Sequence, residues 1–87
     1  MVTRVRGRQY GLIARKSGDE ILLLDTKADQ IHQLNASASF IWDRLEEGLS
    51  DDEIVRLLAI EFEVVDYVAY ADVMAAVARF RVLGFIT

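Results

Sequence analysis

Apolar and polar positions alternate along the first third of the chain and fall at helical spacing along the rest. Over residues 9–15, Tyr10, Leu12 and Ala14 alternate with Gly11, Ile13 and Arg15, the period of a strand. Lys16-Ser17-Gly18-Asp19 follows as a turn, with Gly18 free to take a positive φ. Residues 20–25 predict a second strand around Ile21-Leu22-Leu23-Leu24, which is apolar on both faces, as in a central strand covered on both sides. Thr26-Lys27-Ala28-Asp29 reads as a second turn, and residues 30–34 as a short third strand. Together these segments predict a three-stranded meander.

Helical spacing takes over at Asn35, whose side chain suits the cap of a helix over residues 36–47. Phe40, Ile41 and Leu45 fall on its core face with Trp42 at the flank, and Gly48 supplies the left-handed stop. Ser50-Asp51-Asp52-Glu53 has the spacing of a capping box, and Leu49 and Ile54 that of a hydrophobic staple. The helix it opens, residues 51–63, places Ile54, Leu57, Leu58 and Phe62 on one face. Asp66 is expected to cap a third helix over residues 67–83, closed by Gly84, with Phe85-Ile86 folding back onto the core. In that third helix Val73, Val77 and Phe80 make a core stripe, while Met74, Ala78, Val82 and Leu83 fall elsewhere on the wheel. A helix apolar nearly all round is buried on more than one side. Two arrangements remain open: central packing between the sheet and the other helices, or a second side covered by a peptide, another protein or a second copy.

Composition narrows the possible functions. The chain has 87 residues, enough for one domain, expected over residues 9–87 behind a basic arm at residues 1–8. It has no Cys, which removes disulfides, thiolate nucleophiles and Cys-ligated zinc. No apolar run reaches the ~18 residues of a membrane span, no secretory signal is visible, and the expected compartment is the cytoplasm. Residues 1–16 hold five basic side chains and no acid, whereas residues 17–87 hold the other five and all 14 acids. Such a basic arm can meet nucleic acid or lie against its own acidic body, and the body repels phosphate. His32 is the sole histidine and lacks the partners that tune a catalytic base. Asp51, Asp52 and Glu53 are explained by a helix N-terminus, and neither they nor Asp43, Glu46 and Glu47 form a calcium loop. No catalytic residue, metal or cofactor is expected, and the chain does not read as an enzyme.

The order of Ile21-Leu22-Leu23-Leu24-Asp25, Gln30-Ile31-His32-Gln33-Leu34-Asn35, Ile41-Trp42, Gly48-Leu49-Ser50-Asp51-Asp52-Glu53-Ile54, Asp72-Val73 and Leu83-Gly84-Phe85-Ile86 resembles the PqqD family over residues 10–87. That family comprises small proteins of pyrroloquinoline quinone biosynthesis and their relatives, the RiPP recognition elements. The resemblance implies an α+β, winged-helix-like fold, a three-stranded antiparallel sheet followed by three α-helices. It implies a peptide chaperone, not an enzyme, that binds the leader of a ribosomally made precursor peptide. The chaperone presents that leader to a modifying enzyme, often a radical S-adenosylmethionine protein. The leader is expected to add as a strand to the edge of the third strand, beside the third helix. Mapped onto this chain, the peptide-binding residues are Gln30, Ile31, His32 and Gln33 on the strand and Met74, Val77, Ala78 and Arg81 on the helix. His32 departs from the family, whose members tend to carry a larger apolar or aromatic residue there. The competing classes are a winged-helix nucleic-acid binder, which the few basic residues of the helices argue against, and a homodimer built on the third helix.

Overall fold

The computed structural model describes Val5 and residues 11–87. Three strands, β1 (Leu12–Ser17), β2 (Glu20–Asp25) and β3 (Gln30–Leu34), pair antiparallel in the order β1-β2-β3. The first hairpin turns on Gly18 and Asp19, between the paired Ser17 and Glu20. Gly18 takes φ 64°, the positive angle that a two-residue hairpin loop needs to match strand twist. β1 is therefore displaced from the expected 9–15. Ser17 belongs to the ladder, and Gly11, at φ 82°, is a turn residue ahead of it. The Gly11 carbonyl accepts from the Thr26 amide at 2.8 Å and the Thr26 hydroxyl at 2.9 Å, closing the far end of the hairpin. Gln9, Tyr10 and the arm at residues 1–8, apart from Val5, lie outside the described residues. The second turn is held by Asp25, whose Oδ1 accepts from the amides of Lys27 and Ala28.

Three helices follow: α1 (Ala36–Glu46), α2 (Asp51–Phe62) and α3 (Asp66–Val82). Asn35 caps α1 through its Oδ1, 2.9 Å from the Ala38 amide. α1 ends at Gly48 in a Schellman motif, with Gly48 donating to Leu45 and Leu49 donating to Arg44. The capping box of α2 is complete: the Glu53 amide donates to Ser50 Oγ and the Ser50 amide to Glu53 Oε1. Those Ser50 bonds hold the Glu53 carboxyl below the usual glutamate range. The start of α3 differs from expectation. Val65 occupies the cap position without a side-chain bond, and Asp66 is the first helical residue. There its charge faces the positive end of the helix dipole rather than a single amide. A second Schellman motif, Gly84 to Arg81 and Phe85 to Phe80, turns the chain so that Phe85 and Ile86 return to the core. Ile86 also bridges to Val5.

The helices cover one face of the sheet. Leu12, Ile21, Leu23 and Leu34 of that face pack with Ile41, Trp42, Ile54, Leu58, Val73, Val77 and Phe80. Trp42 stands edge-to-face against Phe80 at 5.1 Å and Phe85 at 6.3 Å. Buried Ser39 ties α1 to the sheet: its Oγ accepts from the Ile21 amide at 2.9 Å and donates to the Leu34 carbonyl at 3.1 Å. The two-sided cover expected for β2 is not found, since Leu22 and Leu24 on the opposite face stay only half-buried. Leu57 is also more open than expected, because it lies about 100° round the helix from buried Leu58. α3 is not the central helix of the two arrangements left open. Its Val73, Val77 and Phe80 stripe is buried, but Ala78 and Val82 face outward.

Candidate functional site

β3 pairs with β2 on one side and with no strand on the other among the described residues. In an antiparallel strand every second residue directs both its N–H and its C=O to the same side, so β3 presents a row of main-chain donors and acceptors outward. Natural edge strands are usually blunted by Lys, Pro, a bulge or a covering loop. The sequence Gln30-Ile31-His32-Gln33-Leu34 carries no charged residue and no Pro, and its register with β2 is unbroken. Such an edge can template another extended segment.

Side chains of β3 alternate between two environments. Leu34 and His32 point to the helix side, where Leu34 is buried and His32 half-buried. The imidazole stands edge-to-face on Phe85, with ring centres 5.3 Å apart, and its Nε2 is buried without a hydrogen-bond partner among the described residues. His32 thus does the packing work of an aromatic residue, at the seam between β3 and the segment that follows α3. Ile31 and Gln33 point to the opposite side and are exposed.

Two cavities open at opposite ends of β3. One, about 240 Å³, follows its last residue: Asn35, Ser37, Ala38 and Ile41 form one wall, and Asp72, Ala75, Ala76, Arg79 and Phe80 the other. The space exists because Ala38, Ala75 and Ala76 present only methyl groups where two helices face each other. Asp72 and Arg79 stand seven residues apart on α3, about 10 Å along the helix, and form no ion pair among the described residues. The other cavity, about 330 Å³, lies at the start of β3, between the second turn (Asp25, Lys27, Ala28), Leu12 and the segment that follows α3 (Leu83, Gly84, Phe85).

The sequence matches the family model described as Coenzyme PQQ synthesis protein D (PqqD) over residues 20–86, from the start of β2 to the end of the returning tail. The chain belongs to the PqqD family. No curated protein matches it. Among solved structures, the fold is similar to a lasso peptide synthetase B1 complexed with the leader peptide, with TM-score 0.86, 26% identity, and 100% of this chain and 99% of that one covered. It is also similar to TbiB1 in complex with the TbiA(beta) leader peptide, with TM-score 0.84, 23% identity, and 95% and 93% covered.

In this PqqD-family chain the residues expected on the strand fall together. Gln30, Ile31, His32 and Gln33 occupy four consecutive positions of the open edge. The residues expected on α3 do not gather at the cleft. Val77 is in the core, at 4% exposure. Met74 packs part-buried against that core, and Ala78 and Arg81 are exposed. Met74 and Arg81 lie roughly half a turn round the helix from Asp72 and Arg79, and Ala78 about a third of a turn. The lining of the cleft, Asp72, Ala75, Ala76 and Arg79, follows i, i+3, i+4, i+7 spacing and flanks the core stripe. That spacing is visible in the sequence. Because both flanks of the core stripe carry small residues and an Arg, it does not say which flank faces the sheet.

Proposed function

We propose that the chain is a non-catalytic peptide-binding module. It takes up the leader segment of a ribosomally synthesised precursor peptide as a fourth strand on β3 and presents it to a modifying enzyme, in the cytoplasm where such peptides are made. The observation that carries this reading is the edge of β3, unpaired among the described residues, with a cavity at each end. It is supported by membership of the PqqD family and by similarity, over the full chain, to a protein solved with a leader peptide. Main-chain hydrogen bonds to β3 supply affinity, and side chains on one face of the guest enter the cavities. On the strand, Gln30, Ile31, His32 and Gln33 hold the guest. On the helix, we place the contact at Asp72, Ala75, Ala76 and Arg79 in preference to Met74, Ala78 and Arg81.

Amide shifts measured while adding leader peptides from precursor genes neighbouring this one test the reading. They should cluster on residues 29–35 and on Asp72, Ala75, Ala76 and Arg79. Ala75→Phe, a change at an exposed position that fills the cleft, should weaken binding about tenfold or more and leave the fold intact. Shifts confined to Met74, Ala78 and Arg81 would move the groove to the other flank of α3. Saturable binding without any shift on β3 would end the proposal.

A further inference from the structure

The face of the sheet turned away from the helices carries an aliphatic row that stops at the open edge. Ile13, Leu24 and Ile31 are register partners across all three strands. Ile13 and Leu24 are half-buried, whereas Ile31 is 69% exposed. Ile31 has no cross-strand neighbour on its outer side among the described residues. An aliphatic residue on the edge strand is also what protection against unwanted pairing normally removes.

We propose that this row is a second reading surface for the guest peptide, on the face opposite the cleft. The assignment rests on the capture of a peptide strand by β3. A strand paired to β3 must send alternate side chains to opposite faces. One set points to the helix side, toward His32 and the cavities. The other set emerges on the outer face, where the residue opposite Ile31 becomes the fourth member of the row. That position favours Val, Ile or Leu, which cover Ile31 and gain cover themselves. The outward position two residues along lies opposite Gln33, whose Nε2 donates to Glu20 Oε1 at 2.8 Å, and favours a polar residue. Selection of the guest therefore uses both faces of its strand, with the outer one set by Ile31.

Twelve-residue peptides selected from a random phage-displayed library against the full chain provide the probe. Peptides whose amide shifts fall on β3 should carry an aliphatic residue at the outward position opposite Ile31. Ile31→Thr keeps a β-branched side chain at an exposed site. It should weaken such a peptide about two- to fivefold, the scale of one cross-strand pair, and should not change the affinity of the same peptide carrying Ser there. Peptides that bind on β3 with no outward preference and no response to Ile31→Thr overturn the inference and leave strand capture standing. Peptides that bind without touching β3 remove the reading on which it rests. A concentration-dependent rise in mass abolished by Ile31→Thr would assign the row to a second copy of the chain instead, and would also overturn it.

Discussion

Glu63 shows how a single residue records the cost of a tight connection. It ends α2 in the left-handed conformation, φ 53° and ψ 47°, where an L side chain crowds the following carbonyl. The connection to α3 needs that angle, because Val64 and Val65 must leave the helix at once. Glu63→Gly removes the crowding at some cost in chain entropy, so stability should rise by about 0.5–1 kcal/mol in urea unfolding. Glu47→Gly, at an ordinary φ of −74°, should lower it. Glu53 is a second such case, with a pH signature. Its folded carboxyl loses its proton at lower pH than the unfolded one, because it accepts from the Ser50 amide. The stabilisation is complete above the ordinary value of 4.5 and fades as pH falls through the depressed one. Glu53→Gln should keep part of the box, lower the urea midpoint modestly at pH 7, and flatten its further loss below pH 4.5, so that the two proteins converge in acid. The box was legible in the sequence because both partners sit three residues apart. Val65 was not, because a cap without a side-chain bond leaves no residue type to read.

Elements were legible wherever their ends are chemically marked, and ambiguous wherever only a face had to be chosen. Asn35, Gly48, Ser50 and Gly84 locate the helix ends to within a residue, since each satisfies orphan backbone groups. β1 slipped because Ser17 looks like a turn residue and belongs to the ladder, while Gly11 looks like a strand position and breaks it. In α3 the core stripe was correct. The choice between its two flanks depends on where the sheet lies, which no local pattern encodes. Ser39 holds the sheet and α1 together, and its role cannot be read from spacing. Its hydroxyl satisfies the Ile21 amide and the Leu34 carbonyl in the interior. Ser39→Ala should cost about 1–3 kcal/mol by leaving a buried main-chain group unpaired, whereas Ser37→Ala should be near neutral. Leu34 ends β3, so the same substitution should raise amide exchange in β3 more than in α2.

For the whole molecule, family membership and fold were accessible from ordered motifs, and the geometry of the open edge required the structure. That geometry makes a quantitative demand. A guest that pairs with β3 binds only the folded chain, because the unfolded chain has no sheet edge to extend. Its binding must therefore raise thermal stability by an amount fixed by mass action, about 2.7 kcal/mol when free peptide is at 100 times its Kd. In a domain of 87 residues each kcal/mol moves the midpoint by about 4–8 °C, so a saturating leader should raise Tm by roughly 10–20 °C. The increment should grow with the logarithm of peptide concentration and shrink in Ala75→Phe, which fills the cleft without touching the strand. Peptide contacts carried by main-chain bonds should also survive added salt. A shift in Tm that disappears at high ionic strength would instead mark attraction between charges, and would leave the edge of β3 with no part in recognition.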